Sequence, residues 1–490
     1  MGFMKKHINL GKRGLATGVM AAGLLLVSGV SQAMPVVVSN GLNDGEGSFR
    51  AALESGAREI VVATSDEIMI TETLVYEGER PIAIYGAGQT VKAMDDFTLL
   101  EVSNGASLTV VGLTFEGPGG FDINSQSTAE SPGKGIFVDV RDDQTGRVQL
   151  TLRNVTVRGV ANHGVHVSDC NLADDCGSGG GGAGEGSAAA IGVEFTNVII
   201  DDVGNGKFDA DGLRVDERGV GNILFVADGS TFVGVGADGV ELDEGQEGEV
   251  IARVTNSTFD GNGLYCDPDQ LGDELETFLA GEDDEGEFEE SEEVIADLLP
   301  GPVTGSSDDR CFEYAVDTFG SGFVAAYEYA IDVDDAFDID EAGPGSLRSR
   351  VINVSIVGNF DEGVDFDEED AGDIKLVAAN AIATDNTDDG FKLSEEGEGS
   401  VQTVFVGVTA EDNGGKGFVF EEADAGNINA LVSMSETDGN DDGDVGIEVV
   451  QEDAGSGRLV LRDTTVNESE VGEDFPVAGV EADGVTVSEQ

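Results

Sequence analysis

The sequence predicts an all-β solenoid whose coils each contain three short strands and about 27 residues. Three observations lead there. The segments 362–388, 389–415 and 416–442 align without gaps, each 27 residues long, and the same phase appears upstream at "DGLRVDERGVG", "DGVELDEGQEG" and "DAFDIDEAG". Apolar residues alternate after each repeat start, as in Leu213 and Val215, Val240 and Leu242, Val364 and Phe366, or Phe418 and Phe420, which is the period of a strand with one buried face. Finally, Asn359, Asn386, Asn413, Asn440 and Asn467 recur at intervals of 27. Stacked Asn side chains hydrogen-bond along a solenoid while tolerating the turns between strands.

Residues 1–33 read as a signal peptide: Lys5, Lys6, Lys12 and Arg13 precede an apolar run from Gly14 to Val30, and "SQA" supplies small residues for cleavage near Ala33. Residues 34–490 then form one domain, exported to the periplasm or beyond the cell. The segment 44–62 opens it with a short helix, because Phe49, Ala52 and Leu53 fall on one helical face and a solenoid must cover its terminal apolar surface. Within each later coil a second apolar run follows a Gly-containing turn, as at 374–377, and a third lies near Ile382.

Two insertions break the rhythm, at about 170–190 and about 264–321. The first is Gly-rich, and the second is acidic with helical spacing at Phe288, Val294, Ile295 and Leu298. The four cysteines fall as two local pairs, Cys170 with Cys176 and Cys266 with Cys311, although four allow three pairings. Export favours disulfides within these loops.

The segments "RNVTV", "TNVII", "TNSTF", "INVSI" and "ANAIA", with Asn154, Asn197, Asn256, Asn353 and Asn380, resemble the turn and strand that carry internal Asn ladders in the pectin-lyase-like superfamily. "LLEVSNGASLTVVGLTFEG" is similar to an early coil of that superfamily, and the 44–62 segment to its entry helix. The resemblance covers most of the mature chain and implies a right-handed parallel β-helix. It also implies a possible class of activity, since the superfamily includes polysaccharide lyases and glycoside hydrolases.

Charge narrows the partners. The chain has 98 Asp and Glu against 25 Lys and Arg, four of which lie in the leader. Nucleic acid is excluded, because phosphate backbones are bound by Lys and Arg. No stretch after the leader approaches the roughly 18 apolar residues of a membrane helix. A hydrophobic content of 40% and even apolar spacing argue for a folded, self-repelling, soluble surface rather than disorder.

Outward positions of the strand after each repeat start line up into two rows. One runs His166, Arg214, Glu241, Asp338, Asp365 and Lys392; the other runs Ser168, Asp216, Asp243, Asp340, Asp367 and Ser394. Strands stack about 4.8 Å apart, where two carboxylates repel by about 3.5 kcal/mol at an effective dielectric near 20. Solvated, salt-screened turns are the simplest account of so many acids. The sharper expectation is a Ca²⁺ ladder at Asp216, Asp243, Asp340, Asp365 and Asp367, since Ca²⁺ takes six to eight oxygens. The Gly-rich nonapeptide of Ca²⁺-binding β-helices is absent.

Catalysis is the competing expectation. Arg214, Asp216, Glu241 and Asp243 are the catalytic candidates, with His166, Arg214 and Glu241 binding a polysaccharide in a groove along one face. The absence of Trp, the acidity, and the lack of a transferable lyase or hydrolase motif weigh toward a non-catalytic protein associated with carbohydrate, matrix or cell-surface material. His163 and His166, the mature chain's only histidines, read most simply as a turn and a surface residue, and Arg214 and Lys392 as cross-coil partners of Glu241 and Asp365.

Overall fold

A computed structural model describes residues 34–121, 127–170, 186–207, 209–263, 313–319, 323–330, 334–452, 454–472 and 474–490. The leader, the helical spacing at 288–298, and Cys176, Cys266 and Cys311 lie outside these residues. Cys170 is disulfide-bonded.

A typical coil is three strands, as in Val240–Glu244, Glu249–Thr255 and Thr258–Asp260, and in early coils the second and third run together as Ile82–Ala93 and Leu108–Glu116. The first strand of every coil joins a parallel sheet of 12 strands, and the second and third form a parallel sheet of 24. Coil-to-coil pairings keep register, for example Leu213 with Val240 and Asp365 with Lys392, with a shift between Tyr85 and Gln89 in an early coil. The chain is therefore an all-β parallel β-helix.

The alternation decides what is inside. Val364, Phe366, Phe391, Phe418 and Phe420 are fully buried. Their rings meet between coils: Phe337 and Phe366 lie 5.1 Å apart edge to face, and Phe405 and Phe418 lie 5.0 Å apart. Offset and edge contacts of this kind add about 0.5–1.5 kcal/mol per pair to the area buried. At the N-terminal end the helix Phe49–Glu54, capped by Ser48, buries Phe49, Ala52 and Leu53.

Two of the Asn rows differ from expectation. The internal ladder is Asn262, Asn359, Asn386, Asn413 and Asn440, joined Nδ2 to Oδ1 at 2.8–2.9 Å. It ends on Glu468, whose Oε1 accepts from Asn440 Nδ2 at 2.8 Å, and Asn467 stands outside it with an exposed contact to Glu436. Asn154, Asn197, Asn256, Asn353 and Asn380 are exposed instead. They occupy left-handed turn positions with φ of 50–55°, a region Asn tolerates better than most residues.

The insertions leave the helix without disturbing its register. Val165 pairs with Leu213 and Val240 pairs with Phe337, so consecutive coils close around long excursions. At the second, Glu313–Phe319 pairs antiparallel with Phe323–Ala330, so the excursion runs past the expected bound near 321 and coil strands resume at Phe337–Glu341.

Candidate functional site

The 12-stranded sheet brings the two outward rows together as the alternation requires. His166, Arg214, Glu241, Asp338, Asp365 and Lys392 are successive register partners, as are Ser168, Asp216, Asp243, Asp340, Asp367 and Ser394. The face is far drier than solvated turns would be: Asp216 is 1% exposed and Asp243 0%, with Arg214, Glu241 and His166 at 5–7%.

Toward the N-terminal end, charge is compensated through one connected network. Lys134 Nζ donates to His166 Nδ1 at 2.7 Å, and His166 Nε2 donates to Asp216 Oδ2 at 2.6 Å. Arg214 Nε donates to Asp216 Oδ1 at 2.9 Å, and its terminal nitrogens reach Glu241, Asp209 at 3.1 Å and Asp243 at 3.4 Å. Arg218 Nη1 donates to Asp243 Oδ1 at 2.6 Å. Such charge-assisted bonds are the strong ones in a dry site.

Burial and the Lys134 ammonium push the His166 pKa down to about 4, so the ring is neutral with both nitrogens engaged. Burial works against ionisation of Asp216, yet Arg214 and His166 hold it well below the usual carboxylate range. Burial dominates at Asp243, raising it to about 7 despite Arg218 and Arg214. Thus the four catalytic candidates do converge beside His166, and they are committed to one another.

Beyond the second excursion the balance reverses. Asp365 and Asp367 face the Lys392 ammonium, which donates to Asp365 and Glu362 at 3.0 Å each, while Asp340 also feels Arg214 and Arg218. Burial and mutual repulsion raise Asp338 and Asp367 well above the carboxylate range and Asp365 to about 7. A cleft of about 370 Å³ opens here, lined by Asp340, Asp367, Glu369, Lys392, Ser394 and Glu396. Oxygens of Glu241, Asp338 and Asp340 lie within 4.8 Å of one another, a spacing able to hold a metal ion.

A third row escaped the sequence reading. Glu217, Glu244, Glu341, Glu368, Glu395 and Glu422 stack in register and end on Gln451, and the six glutamates are at most 1% exposed. Alternation carried one residue past Asp216 or Asp367 points inward, which is the signal that would have found them. A Gly follows four residues after each. At Gly372 a Cβ would lie 1.9 Å from Gly345 O and 2.4 Å from Glu368 Oε1, so the turn closes over the carboxyl only with Gly there.

Both carboxyl oxygens of Glu341, Glu368 and Glu395 are buried without a donor outside the row, whereas the backbone of Gln246 faces Glu244 and that of Asp424 and Gly426 faces Glu422. Ionised, the row would be a column of unpaired charge; protonated, O–H···O bonds run between neighbours. Burial first, and the adjacent carboxyls next, raise Glu341 to about 11 and Glu395 to about 9.

Among the described residues no helix is long and apolar enough to cross a membrane. No family model and no curated protein matches the sequence. Among solved structures, tailspike protein 2 of Escherichia coli O157:H7 bacteriophage CAB120 is 11% identical with a TM-score of 0.43; the alignment covers 93% of this chain and 46% of the tailspike, less than half its length. The A-module of the Azotobacter vinelandii mannuronan C-5 epimerase AlgE4 is 12% identical with a TM-score of 0.43, covering 92% of this chain and 100% of the module. Pectate lyase Pel9A is 12% identical with a TM-score of 0.34, covering 93% and 79%. By its own strand registers, this chain is a parallel β-helix.

Proposed function

We propose that this chain is an exported, non-catalytic β-helix whose acidic sheet face binds Ca²⁺ and which associates with carbohydrate or other extracellular material. The convergence of Glu241, Asp338 and Asp340 within 4.8 Å carries the reading. Of the three, Glu241 pairs directly with the Arg214 guanidinium, and Asp340 feels the charges of Arg214 and Arg218. A cation there relieves repulsion that burial magnifies, and hard carboxylate oxygens are the ligands Ca²⁺ prefers. Asp340, Asp365 and Asp367 continue the same face, whereas Asp216 and Asp243 already have Arg214 and Arg218 as counter-charges. Titration calorimetry of the mature chain with CaCl₂ at constant ionic strength tests this. Saturable binding that weakens in Asp338→Asn and Asp340→Asn supports it, and no heat above dilution removes it.

One observation favours a second reading, a polysaccharide lyase or glycoside hydrolase. Arg214, Asp216, Glu241 and Asp243 meet at one place beside His166. Their mutual pairing counts against it, because a general base must be able to take a substrate proton. New unsaturated or reducing ends released from uronate or neutral polysaccharides, and lost in Asp216→Asn, would favour the enzyme.

A further inference from the structure

We propose a second divalent-cation site, separate from the strand face, in the turns that precede it, formed by Asp335, Asp361 and Glu362. It rests on the reading of the acidic face as cation-binding but uses none of the same residues.

The site grows out of a row that the turns create. In this row the side chain of one coil accepts the backbone N–H of its counterpart in the next. Asp211 N–H donates to His163 Nδ1 at 2.9 Å, Asp238 N–H to Asp211 Oδ1 at 3.2 Å, and Asp335 N–H to Asp238 Oδ1 at 2.5 Å. The same bond reappears further on, from Lys416 N–H to Asp389 Oδ1. At Asp335 the pattern stops: its Oδ1 is buried and has no hydrogen-bond partner.

Asp335 and Glu362 are held in adjacent coils by the bond from Ala336 N–H to Glu362 O at 3.1 Å, and Asp361 precedes Glu362 in the chain. One oxygen from each of the three lies within 4.8 Å of the others. Ligand oxygens at 2.3–2.6 Å from a Ca²⁺ ion are at most about 5 Å apart, so this convergence has the span of one coordination sphere. Asp335 is 8% exposed and Glu362 5%. Three ionised carboxyls this close and this dry are untenable without a counter-charge.

Lys392 supplies part of it. Its Nζ lies 3.0 Å from Glu362 Oε1 and shares itself with Asp365, also at 3.0 Å. Because that ammonium is shared with Asp365, the three carboxylates keep at least two uncompensated negative charges, which a divalent ion would offset. Asp238 faces the group from the preceding coil, but its Oδ1 is taken by the Asp335 N–H. Asp388 and Asp389 approach from the following coil, where Lys416 acts on both and Lys392 on Asp388 as well.

Calorimetry of the mature chain with CaCl₂ at constant ionic strength, beside Asp335→Asn, Asp361→Asn and Asp338→Asn, tests the assignment. The expected result is one equivalent fewer for Asp335→Asn and for Asp361→Asn, and a different equivalent lost for Asp338→Asn. Unchanged stoichiometry in both Asp335→Asn and Asp361→Asn, with loss in Asp338→Asn, overturns this site and leaves the face reading intact. No binding by the parent chain overturns both. Asp361 is only half-buried, so its variant reports on binding even where Asp335→Asn disturbs folding; far-ultraviolet circular dichroism separates the two effects.

Discussion

Glu341 and Glu368 occupy the same position of adjacent coils, both fully enclosed, and neither carboxyl meets a hydrogen-bond donor. At the strand spacing of about 4.8 Å, two ionised carboxylates would repel by about 3.5 kcal/mol at an effective dielectric near 20. A shared proton removes that repulsion and creates a bond. Gln451 at the end of the row makes the same point in amide form, accepting from Ile428 N–H and donating to Glu452 O, both at 3.2 Å.

Alkaline pH is therefore expected to destabilise the protein. Folding raises these carboxyls above their unfolded values, so their contribution is fully present below the unfolded pKa and disappears as pH rises through the folded one. Burial and neighbouring carboxyls place Glu368 at about 7, Glu395 at about 9, Glu217 at about 10 and Glu341 at about 11. The melting temperature should fall progressively from about pH 4.5 to 11, most steeply below about pH 7 where all four groups contribute. A melting temperature flat over that range in calcium-free buffer contradicts a protonated row.

Substitution within the row separates its effect from that of the surface. Glu395→Gln copies what Gln451 does naturally, so its stability near pH 7 should stay close to that of the parent and its alkaline decline should be shallower. Glu395→Ala removes the link to Glu368 and Glu422 and opens a cavity. A loss of about 1–3 kcal/mol in urea denaturation is expected from leaving buried polar groups unsatisfied.

Much of this architecture is legible in the sequence because register and periodicity are linked. Gly363 and Gly390 lie 27 apart, and Val364 with Phe366 show which parity faces in, so the rows holding Asp365 and Asp367 follow directly. Glu368 was hidden because a charged residue in an acidic, Gly-containing turn is ordinarily a solvated one, and composition overrode the parity that points it inward. The exchange of Asn467 for Glu468 at the end of the internal ladder is a register effect: Gly446 follows Gly417 by 29 residues rather than 27, so the spacing no longer carries the turn. The dryness of His166 is a tertiary property, set by Lys134 and Asp216 from other coils, which no local pattern encodes.

The two Asn rows should respond differently. Asn386 accepts from Asn359 Nδ2 and donates to Asn413 Oδ1, both at 2.8 Å, while buried. Asn386→Ala breaks both bonds, and a third from Asn359 N–H to Asn386 Oδ1 at 3.1 Å, and strands their partners, at an expected cost of about 2–3 kcal/mol. Asn353 is exposed at φ 55°, and Asn353→Gly keeps the backbone at ease, so that variant should lie within about 0.5 kcal/mol of the parent. Equal effects in chemical denaturation would mean that the internal ladder contributes nothing beyond turn geometry.

His163 and His166, the two histidines among the described residues, allow the charge network to be read one proton at a time. His166 is expected to remain neutral down to about pH 4, because burial and then Lys134 disfavour its charged form against the pull of Asp216. Folding lowers its pKa from 6.5, so this contribution to stability is present above the unfolded value and is lost as pH falls from there toward 4. In Lys134→Met the largest repelling charge is gone and the Nδ1 hydrogen bond with it, so the His166 titration, followed by its Cε1–H resonance, should move toward neutral pH. Arg214→Met acts on the other side of the ring by removing the guanidinium that joins Asp216, Glu241 and Asp243. Three buried carboxyls are then left short of a partner, and breaking a buried pair in this way typically costs about 3–5 kcal/mol. A His166 titration that stays at the parent value in Lys134→Met, with the fold intact, would show that burial alone sets its charge.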